Sequence, residues 1–311
     1  MIVISEFMNE SAVEFLRTDF DVRHESSLVD QPAELRAAMQ SADALIVRNR
    51  TQVDAALIAS APKLKVVGRL GVGLDNIDTA ACAARGIEVI AATGANAVSV
   101  AEYVVTTAMM LLRGVYGSSA AVAAGAWPRA QLSQGKELRG KTLGLIGFGS
   151  IGRVTARLAL NLGMQVVAYD PLVAADDAAW REHGVAHRSL EALLAEADVV
   201  SLHVPLVAQT RGMLNASRIA SMKRGAIVIN TARGGIVDEG ALIDALQTGA
   251  LGGAALDVFE HEPLATGTAW ADVPNLILTP HVAGVTAESN ARVSDVIAQR
   301  VAAALQKMSE R

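Results

Sequence analysis

Arg233, Glu262 and His281 stand just past three successive apolar runs, GAIVIN, GGAALDVF and NLILTP. Their types make a working set. A histidine titrates near neutrality and can deliver or accept a proton. A carboxylate hydrogen-bonded to its far ring nitrogen fixes the tautomer and favours the imidazolium. A guanidinium can hold a carboxylate in two-point geometry and polarise a carbonyl beside it. Hydride arriving at such a carbonyl leaves charge on oxygen, and a proton must follow. The set therefore suits interconversion of a 2-keto acid and a 2-hydroxy acid.

A hydride carrier has its own signal. Gly147, Phe148, Gly149, Ser150, Ile151 and Gly152 follow the apolar run TLGLI and open the helical stretch RVTARLALNLG. Strand, GxGxxG and helix in that order form the dinucleotide pattern. Gly147 permits the tight turn, Gly149 lets the backbone approach a pyrophosphate, and Gly152 lets the helix pack close to the sheet. Asp170 ends the next run, VVAYD, 18 residues beyond Gly152. A carboxylate there accepts hydrogen bonds from ribose hydroxyls and repels a 2′-phosphate, so the expected cofactor is NAD and not NADP. The second glycine pair, Gly71 and Gly73, lacks the rest of the pattern and is not counted as a nucleotide site.

The elements that must position these residues are βα units. Runs at 2–4, 20–23, 44–47, 65–68 and 87–90 alternate with helical segments near 9–17, 32–40, 53–60 and 76–85. They form one doubly wound α/β domain. A long helix over 98–115 and a polar stretch through 125–140 lead to a second set of six strands, at 141–147, 165–170, 197–203, 225–230, 252–259 and 275–280. Six is the nucleotide-domain count. Ligands bind outside the carboxyl ends of such strands, where Arg233, Glu262 and His281 all fall. A last helix over 286–308 has no strand partner and is expected to pack back on the first domain. The expected domains are 1–97 with 285–311, binding substrate, and 98–284, binding NAD.

Composition narrows the function classes. The chain has 311 residues, enough for two cores, and half of it is apolar without any run of the roughly 18 residues that cross a bilayer. The start, MIVISEFMNE, reads as a first strand and not an export signal. A net charge of -5 without basic clusters leaves no footprint for nucleic acid or an anionic membrane. The single cysteine, Cys82, reads as a helix-packing residue in a cytoplasmic protein, and no metal site is expected.

TARGGIVDEGAL (231–242), ALDVFEHEPL (255–264) and LTPHVAG (278–284) resemble the signature segments of the D-isomer-specific 2-hydroxyacid dehydrogenase family. The likeness extends through RNRTQVD, GRLGVGLDNID and the VAEYVV helix. The resemblance implies a flavodoxin-like substrate domain, a Rossmann NAD domain, and a homodimer built on the latter. It assigns catalysis to Arg233, Glu262 and His281, nicotinamide contacts to Thr231, Ala232 and Asp257, and pyrophosphate contacts to Ser150 and Ile151. Formate dehydrogenases of the family carry Gln at the position of Glu262, which separates this chain from them. Relatives that bind NAD as transcriptional corepressors can retain the same three residues, so an NAD-sensing binding protein is the alternative class.

Substrate contacts are expected from the first domain. Arg48 and Arg50 follow ALIV, Arg69 follows KVVG, and the amides of Val72 and Gly73 resemble the family's carboxylate-binding loop. Arg48 and Arg50, two apart on an extended strand end, should point the same way. Three arginines imply a second anion on the substrate, a phosphate or a sulfonate. RNRT resembles the 3-phosphoglycerate dehydrogenase branch, whereas ISEFM, IVRNRTQV, GRLGVGLDNID and ATGAN together resemble the (S)-sulfolactate branch. The expected substrate pair is (S)-3-sulfolactate and 3-sulfopyruvate, with D-3-phosphoglycerate oxidation or hydroxypyruvate or glyoxylate reduction as the alternative activities.

Overall fold

Alternation of β-branched runs with alanine-rich segments builds two all-parallel sheets with helices packed on them. In this computed structural model, which describes residues 1–309, they belong to two units: Met1–Asn96 together with the segment from Val285 onward, and Ala97–Gly284. Residues 310 and 311, included in the expected first domain, lie outside the described residues.

The first unit carries β1 (Ile2–Ile4), β2 (Val22–His24), β3 (Ala44–Val47), β4 (Val66–Arg69) and β5 (Glu88–Ala91), in the order β2-β1-β3-β4-β5. Central strands β1 and β3 are buried at every residue, which is why they read as unbroken apolar runs. Side chains of Asn9, Asp54 and Asp78 cap the helices Glu10–Arg17, Ala55–Ala59 and Thr79–Ala84. Cys82 is buried in the last of these. The final helix, Ala287–Ser309, buries Val293, Ile297, Val301 and Leu305, spaced four apart on one face, in the core that also holds Ile4, Ile46 and Leu16. Gly68 in β4 makes this possible. A Cβ there would stand 2.8 Å from Val301 Cγ2 and 2.9 Å from Ile297 Cγ2.

The second unit carries β6 (Thr142–Ile146), β7 (Gln165–Tyr169), β8 (Ala186–His187), β9 (Val199–Leu202), β10 (Ala226–Asn230), β11 (Leu251–Leu256) and β12 (Leu276–Leu278). Their order is β12-β11-β10-β9-β6-β7-β8, and strand order reverses at β6 and β9. The sheet thus has seven strands, one more than the sequence suggested. The additional one, β8, pairs only Ala186 and His187 with β7, and two residues at a sheet edge leave no apolar run to read. Helix Ala97–Arg113 buries Val100, Val104, Ala108, Leu111 and Leu112 against this sheet. No single helix among the described residues is long and apolar enough to cross a membrane.

Candidate active site

Adjacent strands β10, β11 and β12 end in register, with Asn230 beside Leu256 and Leu256 beside Leu278. The loops that follow carry Arg233, Glu262 and His281. Asn230 shapes the first of them. Its buried amide accepts from Ala232 N at 3.0 Å and donates to Arg233 O at 2.9 Å, closing Thr231–Arg233 into a tight turn. Arg233 Nη1 donates to Ala232 O at 2.6 Å. The turn then runs against the loop after β11, where a Cβ on Gly234 would lie 1.9 Å from Phe259 O. Only glycine fits. Asn230 was not singled out from the sequence, although a polar residue closing an apolar strand just before TARGG was a signal for it.

Glu262 and His281 meet directly. Oε2 of Glu262 lies 2.8 Å from Nδ1 of His281, and Oε1 accepts from Phe259 N at 3.0 Å. The carboxylate is oriented by its own loop, and the ring keeps Nε2 for other chemistry. His281 has a positive φ of 56°, unusual for a side-chain-bearing residue. Asp257, read from the resemblance as a nicotinamide contact, is buried, and its carboxylate accepts from Thr279 Oγ1, Val282 N and Ala283 N.

The glycine turn lies at the carboxyl end of β6. Gly147 has a φ of 101°, and a Cβ on it would meet His203 O at 2.5 Å. A Cβ on Gly152 would meet Gly147 O at 2.3 Å. These two glycines are demanded by the protein itself. Gly149 is different, since a Cβ there would meet nothing within 4 Å. The backbone there is open to close approach by a ligand. Phe148 is fully buried and stacks on Trp180 at a centroid distance of 4.6 Å, which pins the turn from below. Helix Ser150–Asn161 starts at Gly149 with neither a side-chain cap nor an acid in its first turn, so its first N–H groups and positive dipole end suit a phosphate.

Asp170 accepts from Phe148 N at 2.7 Å with Oδ2 and from Leu172 N at 2.9 Å with Oδ1. A carboxylate has about four acceptor positions, so both oxygens can still take a ribose hydroxyl. Thr231 Oγ1 is enclosed and has no hydrogen-bond partner among the described residues. Open Gly149, the uncapped helix, half-engaged Asp170 and the waiting Thr231 hydroxyl all fit a dinucleotide.

The first-unit candidates behave differently from expectation. β3 ends at Val47, and Arg48, Asn49, Arg50 and Thr51 form a compact loop, not an extended strand end. The cause is Glu6, buried at 5% exposure, whose carboxylate accepts from the backbone N–H of all four. The two arginines accordingly take separate partners. Arg48 Nη2 donates to Asn290 Oδ1 at 2.8 Å and its guanidinium lies over the Phe7 ring, while exposed Arg50 pairs with Asp30. Burial lowers the Arg48 guanidinium from its ordinary value, with the Glu6 charge opposing. Arg69 turns back on its own strand end, Nη1 donating to Leu70 O at 2.9 Å. The following turn holds Val72 and Gly73, whose N–H groups meet no backbone carbonyl among the described residues.

Residues 105–283 match the family model described as "D-isomer specific 2-hydroxyacid dehydrogenase, NAD binding domain". The chain belongs to this family. Dehydrogenases of the family are NAD-dependent oxidoreductases, and the cofactor here is NAD. Among family relatives, an (S)-sulfolactate dehydrogenase of Chromohalobacter salexigens is 54% identical over 98% of both chains. A D-3-phosphoglycerate dehydrogenase of Archaeoglobus fulgidus is 38% identical over 96% of this chain, which spans 56% of that longer protein. The crystal structure of a D-lactate dehydrogenase from Aquifex aeolicus, complexed with NAD and lactic acid, superposes with a TM-score of 0.83 at 29% identity, covering 100% of this chain and 97% of that one.

Proposed function

We propose that the protein is an (S)-sulfolactate dehydrogenase, interconverting (S)-3-sulfolactate and 3-sulfopyruvate. The observation that carries the substrate is the 54% identity with a sulfolactate dehydrogenase across 98% of each chain, against 38% to 43% with phosphoglycerate dehydrogenases. For the chemistry, the support is the 2.8 Å contact between Glu262 and Nδ1 of His281.

In the oxidative direction His281 takes the hydroxyl proton at Nε2 while the C2–O bond becomes a carbonyl and the C2 hydrogen leaves with its electron pair. When bound, NAD supplies the acceptor for that hydride, and in reverse its reduced form donates it. Glu262 holds the ring through Nδ1 and stabilises the imidazolium that forms. Arg233 takes the substrate carboxylate and polarises the carbonyl oxygen. Gly147, Gly149, Ser150, Ile151 and Gly152 hold the pyrophosphate, Asp170 the adenosine ribose, and Thr231, Ala232 and Asp257 the nicotinamide end.

The unit built on β1 to β5 serves as the substrate-binding domain, and Ala97–Gly284 as the NAD domain. Amides of Val72 and Gly73 take the substrate carboxylate. Arg48, Arg50 and Arg69 supply the positive charge for the sulfonate, Arg50 being the most available because its exposed pair with Asp30 is weak. The protein acts as a homodimer through its NAD domain, where Tyr116, Val122 and Trp127 expose apolar surface within one short stretch. Buried, free Cys82 suits the reducing cytoplasm.

The test is NADH consumption with sulfopyruvate, hydroxypyruvate phosphate, hydroxypyruvate, glyoxylate and pyruvate. Sulfopyruvate should show the highest kcat/KM. A preference for a singly charged keto acid would remove the sulfolactate assignment and leave family membership standing.

A further inference from the structure

We propose that Tyr103 and Thr279, acting through Asp257, are positioning residues that hold His281 for proton transfer. The inference rests on the reading of His281 as the proton carrier. His281 is one of two non-glycine residues with positive φ among those described. An L side chain in that region crowds the backbone, and the conformation persists only where the surroundings over-determine it.

Asp257 does this. Its carbonyl accepts from His281 N at 2.8 Å, and its carboxylate accepts from Val282 N and Ala283 N, both at 2.8 Å, and from Thr279 Oγ1 at 2.6 Å. Residues on both sides of His281 are thus tied to one buried acid. The second oxygen-to-oxygen contact of Thr279 is to the Tyr103 phenol, at 2.7 Å. A carboxylate only accepts, so the one hydroxyl proton of Thr279 goes to Asp257 and the phenol must donate to Thr279. Burial pushes the Tyr103 phenol up, opposed by its hydrogen bond to Thr279 and reinforced by the Asp257 charge, so it stays protonated and remains a donor.

Tyr103 lies on helix Ala97–Arg113 of the same unit, which buries Val100, Val104, Ala108 and Leu111 in the core. The chain Tyr103 to Thr279 to Asp257 therefore ties the His281 loop to the packed core rather than to other loops. Loss of a link should let the imidazole wander from its working position. Displacements of this kind reduce turnover by up to roughly a hundredfold.

Variants of Thr279 and Tyr103 test the proposal with kcat, KM and thermal unfolding. Thr279→Val should lower kcat about tenfold or more, with KM within twofold of wild type. Thr279→Ser, which keeps the hydroxyl, should restore most of the rate, and Tyr103→Phe should give a smaller loss than Thr279→Val. In a His281→Ala background Thr279→Val should cost nothing further, because the residue being positioned is gone. Wild-type kcat in Thr279→Val, or an equal loss with and without His281, overturns the proposal. If Thr279→Val fails to fold, Tyr103→Phe carries the same cycle, and an unchanged kcat there overturns it. A wild type that turns over no 2-keto acid overturns the underlying reading of His281 as well, and that result is distinct from active wild type with indifferent variants.

Discussion

One Glu262 carboxylate bridges two partners, taking Nδ1 of His281 at 2.8 Å with one oxygen and the N–H of Phe259 at 3.0 Å with the other. The acid is thereby fixed before it meets the imidazole. Replacing His281 with Ala should leave NADH binding intact and reduce kcat by about 10²- to 10⁴-fold, the worth of a positioned acid. Glu262→Gln should be milder. Its amide can still accept from Phe259 N but presents a donor to Nδ1, so the ring loses the acceptor that fixes its tautomer, and kcat should fall by less than in His281→Ala. Wild-type kcat in Glu262→Gln would remove Glu262 from the proton-transfer machinery.

Asp170 is expected to decide between the two nicotinamide cofactors. Titration of wild type should give much tighter binding of NADH than NADPH, since a 2′-phosphate would meet a carboxylate. Asp170→Ala should narrow that difference. It should also cost about 1 kcal/mol of stability, because the Phe148 N–H in the glycine turn loses its acceptor. Equal affinities for both cofactors in wild type would sink the assignment of Asp170.

Arg50 should read the second anion. A charge-assisted hydrogen bond is worth roughly 1.5 to 3 kcal/mol, so Arg50→Ala should lose about tenfold or more in kcat/KM with sulfopyruvate. Glyoxylate turnover should change little. Comparable losses on both substrates would mean that Arg50 supports the loop or the carboxylate site instead.

His203 makes stability pH-dependent in a defined window. Burial pushes its pKa down to about 4 from an ordinary 6.5, and its Nε2 lies 3.0 Å from Ser201 Oγ. Because the folded state disfavours the protonated ring, its full contribution is present above pH 6.5 and is lost as pH falls towards 4. The loss is at most about 3 kcal/mol, and less to the extent that the residue keeps some surface exposure. Denaturant unfolding at pH 7.5 and at pH 5 should show a smaller drop for His203→Gln than for wild type. Equal drops would show that the ring is solvated in the folded protein.

Much of this was legible in the residues because it depends on local pattern. Buried parallel strands must be apolar on both faces, so β1, β3 and β10 announce themselves as runs, and a glycine turn between strand and helix can be read from spacing alone. The family segments around Arg233, Glu262 and His281 were equally visible. Two-residue β8 was not, since a sheet edge needs no apolar run to form. Contacts between distant residues lay beyond reach for a different reason. Glu6 meets the amides of Arg48 to Thr51 across more than 40 positions, and Tyr103 meets Thr279 across 176. Sequence determined which residue types were available at the strand ends. Tertiary structure alone decided where they point, because a buried acid takes whichever donors the fold brings to it: Glu6 curled the loop and parted Arg48 from Arg50, and Asp257 set the backbone of His281.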